Sequence, residues 1–196
     1  MILLKNGKKK IRVDNMKDIF KDKRITKEKT IYLLMLIMVV SGICGFIYET
    51  FFYRIDLGYF VKRGSTFGPW IPIYAWGGLF ITLIAYRFKD KPWLVFIVST
   101  IITGLLEYLT GYVLLECFNL RLWNYNNEIL NYGNINGFIC IRSILSFGLA
   151  SLLLIYYIIP YLIKLVRNTD RETIRFFSIT IWLMLIIDMI LYIILK

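Results

Sequence analysis

The fold is decided by the stretch RGSTFGPWIPIY, residues 63–74, which carries no charge after its first residue and is wedged between hydrophobic segments. It contains Gly64, Gly68, Pro69 and Pro72. Proline removes a backbone donor and glycine favours the unfolded backbone, so a regular helix is not expected to run through it. Irregular backbone at membrane depth is tolerated only where protein or water surrounds it. We therefore predict a non-helical or re-entrant segment that packs inside a bundle, against the first and third spans.

The composition is typical of a polytopic membrane protein. Of the 196 residues, 58% are hydrophobic and none is His. A helix needs about 20 apolar residues to cross roughly 30 Å of hydrocarbon. We predict an all-α transmembrane domain over residues 30–196 with about five spans, at 30–53, 71–88, 93–118, 137–163 and 174–195.

The first 29 residues form a separate basic region. They hold eleven Lys or Arg against four acidic residues, and so supply +7 of the net charge of +11. We expect a basic cytoplasmic tail or an amphipathic helix on the anionic inner leaflet. Nucleic-acid binding would use the same charge, but no aromatic platform accompanies it, so we expect no nucleic-acid partner.

The loop charges predict the orientation. Eighteen of the 24 Lys and Arg fall in the basic region and in two loops that share its side of the membrane, and five would lie on the other side. The loop residues are Arg87, Lys89, Lys91, Lys164, Arg167, Arg171 and Arg175. Because positive loops stay inside, we expect a multi-pass cell-membrane protein with a cytoplasmic N-terminus and an outside C-terminus. The richness in Lys, Ile, Asn and Tyr is typical of a low-GC bacterial genome.

Ionisable side chains within the spans are candidate functional residues, because a charge at the bilayer centre costs on the order of 2.5 to 3.5 kcal/mol. Glu49 lies on a polar face of the first span and Glu107 on one of the third, and we expect these faces to meet each other or a shared cavity. Arg142 is expected to pair with Glu107 or Glu116, and Asp188 to lie at the membrane interface. A buried pair would serve either helix register or transport. The other residues of the two faces are Ser41, Gly45, Tyr48, Ser99, Thr103 and Thr110.

The loop over residues 119–136 holds seven Asn together with Trp123, Tyr125 and Tyr132. Aromatic and amide side chains there suit a membrane-interface belt or the capped mouth of a cavity. They would also suit recognition of a sugar or of a lipid headgroup.

Several chemistries are excluded by what the sequence lacks. It has no phosphate-binding loop of the Gly-x-x-x-x-Gly-Lys-Ser/Thr type, so it does not bind ATP by that route. Without His, the usual zinc and haem ligand sets and His-based catalysis are unavailable, and Cys44, Cys117 and Cys140 lack metal-binding spacing. We expect no metal, no cofactor and no enzymatic activity.

A series of motifs, in order, resembles the ABC-transporter type IV membrane proteins, a family of ABC transporter permeases, from about Gly42 to Pro160. They comprise Glu49, Arg63-Gly64, Gly68-Pro69-Trp70-x-Pro72-Ile73-Tyr74, Gly77, Glu107-Tyr108-x-Thr110, Glu116, Trp123-x-Tyr125 and Asn136-Gly137-x-Ile139-Cys140. The resemblance implies a transport component in which these residues line a solute or ion path, and Arg142 is a further candidate for the path because of its position in the fourth span. The resemblance also implies a separate ATPase subunit. Arg142 departs from the family's pattern, which has an acidic or neutral residue there.

Three functions remain open at this level. The first is transport, for which five spans are few, so that a homodimer or another subunit would complete the path. The second is a non-catalytic structural or regulatory membrane protein, whose polar residues only hold the bundle together. The third is an intramembrane enzyme that acts on membrane lipid through a carboxylate pair.

Overall fold

The computed structural model describes residues 26–195, and these form an α-helical bundle. The helices are α1 (Lys27–Leu57), α2 (Pro72–Phe80), α3 (Pro92–Phe118), α4 (Ile141–Leu153), α5 (Ile159–Asn168) and α6 (Arg171–Leu195). Between them lie π-helical turns at Ile81–Ala85 and Leu154–Ile158 and 3₁₀ turns at Tyr86–Phe88 and Tyr125–Asn127. The predicted tail or surface helix lies almost wholly outside the described residues.

The prediction of a polytopic membrane bundle is confirmed. Within residues 26–195, four helical stretches are long and apolar enough to cross a membrane, and they match the first, third, fourth and fifth predicted spans: Lys27–Leu57, Pro92–Phe118, Ile141–Asn168 and Arg171–Tyr192. The observed stretch Ile141–Asn168, which corresponds to the fourth predicted span, runs through α4, a π-helical turn and α5. Pro160 lies at the start of α5, where its missing N–H is accommodated by that wide turn.

The second predicted span, 71–88, is helical from Pro72 to Phe88 through α2 and its two following turns, but among residues 26–195 it is not one of the four stretches long and apolar enough to cross a membrane. Residues 58–71 are irregular, and α2 begins only at Pro72. The backbone N–H of Ile71 donates to the carbonyl oxygen of Gly42 at 3.0 Å, and Gly42 is the central residue of α1. The irregular chain therefore reaches the middle of the bundle, and α2 with its two following turns completes the crossing from there.

The two ends of the bundle differ in charge. At the end where α1 and α6 begin and α5 ends, Lys29 Nζ donates to the carbonyls of Val166 and Thr169 at 3.0 and 2.8 Å, and Arg171 pairs with Glu28 at 2.7 Å. We call this the basic end. At the opposite end α1 and α3 finish and the loop of residues 119–140 lies, and we call it the loop end.

A dense aliphatic core fills the basic end. Its fully enclosed members include Ile37, Val95, Ile159 and Val166, which come from α1, α3 and α5. Side chains from the turns after α2 and from α6 complete the cluster. This half of the bundle is held by close packing of apolar side chains.

Small residues let α1 and α2 approach closely, as is common between membrane helices. A Cβ at Gly45 would collide with the Tyr74 ring, and one at Gly78 would collide with Ser41. Tyr74 thereby lies directly against α1.

The irregular segment is anchored by α6. The Asp188 carboxylate accepts from the backbone N–H groups of Phe67 and Gly68 at 2.9 and 2.7 Å and from Trp70 Nε1 at 2.6 Å. The prediction of a non-helical segment is confirmed for residues 64–71 and wrong for Pro72–Tyr74, because proline is well tolerated in the first turn of a helix. Contact with the first span is confirmed by the hydrogen bond from Ile71 to Gly42, and α6 is a further partner that the prediction did not name.

Candidate functional site

Glu49, near the loop end of α1, pairs with Arg63 of the irregular segment. The distance from Arg63 Nε to Glu49 Oε2 is 3.3 Å, and both side chains are largely buried. The Arg63 guanidinium also lies over the Tyr53 ring, 3.6 Å from its centroid. Gly64 follows with φ of +89°, a conformation that glycine adopts readily, and turns the chain inward after Arg63.

A second ion pair joins α4 to the outer loop. Arg142 Nη2 lies 2.5 Å from Glu128 Oε2, and the two side chains are 12% and 8% exposed. The hydroxyl of Tyr53 donates to the other oxygen of Glu128. The Arg142 guanidinium stacks over Phe52 at 3.9 Å and lies 5.3 Å from the centroid of Tyr125. The predicted pairing of Arg142 with Glu107 or Glu116 is therefore wrong, because the loop folds back and brings a carboxylate closer.

Glu128 was missed by the sequence analysis. It is the one acidic residue between positions 119 and 140, which is a weak signal that a neighbouring arginine has its counter-charge there. Burial raises the pKa of Glu128, while the hydrogen bond from Tyr53 and the charge of Arg142 act in the opposite direction. The position of this carboxylate depends on how the loop folds, and the loop conformation cannot be predicted from helical periodicity.

Glu107 of α3 is held by hydroxyl groups rather than by a cation. It is 3% exposed and accepts hydrogen bonds from Tyr125 and from Ser143 Oγ, the latter at 3.0 Å. Within residues 26–195 it forms no ion pair. Burial, with the Glu107 charge as the next cause, raises the pKa of the Tyr125 phenol well above its ordinary value, so Tyr125 stays a donor. Among the described residues, Glu107 is thus a buried carboxyl whose direct hydrogen-bond partners, Tyr125 and Ser143, are neutral.

These groups surround one end of a cavity of about 420 Å³ between α1, α2 and α4. Glu49, Tyr53, Tyr125, Glu128 and Arg142 line it toward the loop end. Toward the basic end the lining becomes apolar, with Ile81, Leu153, Leu154 and Ile158. The cavity therefore has a polar head and an apolar floor.

The expectation for the two polar faces is partly confirmed. Ser41, Gly45, Tyr48 and Glu49 of α1 line the cavity. Ser99, Thr103 and Glu107 of α3 are buried, but α2 stands between the two faces, with Gly77 against Thr103. Glu107 reaches the cavity region only through Tyr125 and Ser143.

The remaining predicted site residues lie away from the cavity. Gly68, Pro69 and Trp70 belong to the segment anchored by Asp188, and Pro72 starts α2. Trp123 Nε1 donates to the carbonyl of Phe138 at 2.9 Å, and Tyr108 packs against Phe138 and Tyr112, so both hold the loop on α3. Glu116 is exposed on α3 and does not join the cluster.

A family model described as "Putative ABC-transporter type IV" matches residues 35–193. The match extends beyond the region of motif resemblance and includes the last helix. No curated protein and no solved structure matches the chain.

Proposed function

Because the chain belongs to the ABC-transporter type IV family, we propose that it is the membrane-embedded component of a transporter whose substrate site is the cavity between α1, α2 and α4. The observation that carries this proposal is the set of buried charged side chains gathered at one end of an open space inside a membrane bundle. In this proposal the chain binds and passes a substrate and performs no covalent chemistry.

The energetic reason is the cost of charge at membrane depth. A charge at the bilayer centre costs on the order of 2.5 to 3.5 kcal/mol, and Glu49, Glu107 and Arg142 lie on membrane-spanning helices, with Arg63 and Glu128 paired to two of them. If these charges only fixed the helix register, one ion pair in a closely packed core would be enough, and no cavity would be needed. Broken membrane crossings are also a recurring feature of transporter binding sites, and the Gly64–Ile71 segment with α2 is such a crossing.

The energy source in this proposal is a separate ATPase subunit, because the sequence carries no phosphate-binding loop of its own. The cavity occupies one side of a single bundle, and a second copy of the chain or another membrane subunit would complete the path. The test is purification of the full-length protein from its native membranes in mild detergent. We expect an ATPase subunit to co-purify and the complex to hydrolyse ATP. Recovery of the folded protein in high yield without an ATPase contradicts the energy coupling.

We further propose that the basic end lies in the cytoplasm and the loop end outside the cell. Asn168 is exposed at the basic end and Asn127 at the loop end. In a background without the three native cysteines, a membrane-impermeant maleimide should label Asn127→Cys in intact cells and Asn168→Cys only after lysis. The reverse pattern, or labelling of both in intact cells, contradicts this orientation.

A structural or regulatory role is the second candidate. The observation in its favour is that Arg63 and Arg142 each have a glutamate partner, as register-setting pairs do. Glu107, which has no such partner among the described residues, separates the two candidates, and its substitution is treated in the Discussion.

A further inference from the structure

The cavity opens sideways, between α1 and α4. These two helices are held apart there, and the Tyr48 hydroxyl bridges the gap by donating to Ser146 Oγ at 3.0 Å. Five lining residues of these two helices are exposed, namely Cys44, Tyr48, Leu149, Ala150 and Leu153, and we take them to mark the mouth of the cavity. In a membrane this surface faces lipid, so an occupant would reach the cavity from the bilayer.

The length and polarity of the cavity match an amphiphile lying parallel to the helices. Arg142 and Ile158 mark its two ends on α4 and the following turn, and they are 16 residues apart. At about 1.5 Å per residue this corresponds to roughly 24 Å, against about 30 Å for the hydrocarbon core of a bilayer. A chain that lies along the apolar floor would leave its headgroup at the charged end.

The charges at the polar end are balanced. Glu49 and Glu128 lie against Arg63 and Arg142, so these four groups sum to zero. Arg142, Glu49 and Glu128 line the cavity at this end. The Arg142 guanidinium is a donor group suited to a phosphate oxygen, and the two carboxylates suit an ammonium group. A zwitterionic head is complementary to this arrangement, whereas a purely anionic head would meet the carboxylates.

From these observations we propose that the cavity binds a zwitterionic phospholipid, which enters from the bilayer between α1 and α4, with its phosphate toward Arg142 and its acyl chain along Ile81, Leu154 and Ile158. This inference rests on the proposed function, because it names the substrate class of the same cavity.

The experiment uses the full-length protein in nanodiscs that contain a phosphatidylethanolamine probe with a diazirine at the end of one acyl chain. After irradiation, cross-linked positions are mapped by mass spectrometry. We expect cross-links on cavity-lining residues of α4 and its following turn, from Ser146 to Ile158, at several times the yield found on Leu105 and Leu109, which are exposed on α3 outside the cavity. Equal yields at the two surfaces overturn the proposal, because they show ordinary lipid contact only.

Cavity-filling variants provide the matched comparison. Ala150→Trp and Leu149→Trp narrow the gap, and Leu105→Trp adds the same ring to the outer face of α3. The first two should lower the cavity cross-links at least about fivefold, and the third should leave them unchanged. Folding is checked by gel filtration and circular dichroism, and two filling variants keep the test valid if one is lost. Unchanged cross-linking in a folded filling variant overturns the proposal.

Two further probes test the chemistry of the head. A phosphatidylglycerol probe and a fatty-acid probe with the same diazirine chain should give weaker cavity cross-links than the phosphatidylethanolamine probe. A stronger signal from either overturns the assignment of a zwitterionic phospholipid. An ATPase that co-purifies while the cavity shows no specific cross-link would contradict the lipid inference alone and leave the transport proposal standing.

Discussion

The two halves of the bundle are built from the same helices on different principles. At the basic end α1 contributes Leu33, Leu36 and Ile37 to a filled aliphatic core, whereas at the loop end it contributes Gly45, Tyr48 and Glu49 to an open, charged cavity. The first arrangement gains stability from close packing and tolerates no free space. The second arrangement leaves a cavity beside buried charged groups, and both reduce the stability of the fold. Close packing at the basic end must offset this loss. The stable half thus supports the half that carries the candidate site.

The largest expected effect is the loss of one partner of the buried Arg142–Glu128 pair. Arg142→Met should lower the free energy of unfolding by about 3 to 5 kcal/mol, because Glu128 is left buried and unpaired. The double variant Arg142→Met with Glu128→Met should recover most of this loss. Thermal denaturation in detergent measures both, and a double variant as unstable as the single one contradicts the assigned partner.

A smaller effect is expected from the close contact between α1 and α2. Gly45→Ala places a methyl group against the Tyr74 ring and should cost about 1 to 3 kcal/mol. Gly77→Ala is the matched control, because its nearest neighbour would be Thr103 Cγ2 at 3.9 Å. The control should be neutral or slightly stabilising, since glycine within a helix is about 0.5 to 1 kcal/mol worse than alanine. Equal destabilisation by the two variants contradicts the packing described.

Glu107→Gln is expected to change function more than stability. Gln preserves the shape of the side chain and an oxygen that accepts from Tyr125 or Ser143, so the free energy of unfolding should fall by about 1 kcal/mol or less. If the cavity is a transport site, substrate-stimulated ATP hydrolysis by the purified complex should fall at least about tenfold. A variant with a lower melting temperature and unchanged ATP hydrolysis per folded molecule favours the structural alternative.

The smallest effect is expected at the basic end, where Asp170 caps the start of α6. Its carboxylate accepts from the backbone N–H of Thr173 at 2.8 Å, and that hydrogen bond lowers the pKa of Asp170. A lowered pKa in the folded state means that the stabilisation is present above the ordinary value of about 3.9 and is lost as the pH falls through the lowered value.

Asp170→Ala should therefore melt slightly below the unchanged protein at pH 7, and the difference should shrink as the pH falls below about 4. Asp170→Asn retains a capping oxygen and should keep a small, pH-independent stabilisation. A difference that grows on acidification contradicts the cap as its source.

The site was predictable where a residue and its role share one helix or one short segment. Glu49 and Glu107 were recognised because a charge within an apolar helix is costly, and the irregular segment was recognised from its Gly and Pro. The partners were less accessible to sequence reasoning. Glu128 pairs with Arg142, which is 14 residues away in sequence, and Asp188 binds Trp70, which is 118 residues away. No periodic pattern in the sequence connects the members of either pair.

The sequence alone determined the class of this protein, its long apolar helices, the break near Gly64–Ile71 and the burial of charged groups, because hydropathy, proline and charge act locally along the chain. The tertiary structure decided which carboxylate meets which arginine, that α6 anchors the irregular segment, and that α1 and α4 stand apart to leave a cavity. Those outcomes depend on loop closure and on the fit between helix surfaces, which involve residues far apart in sequence.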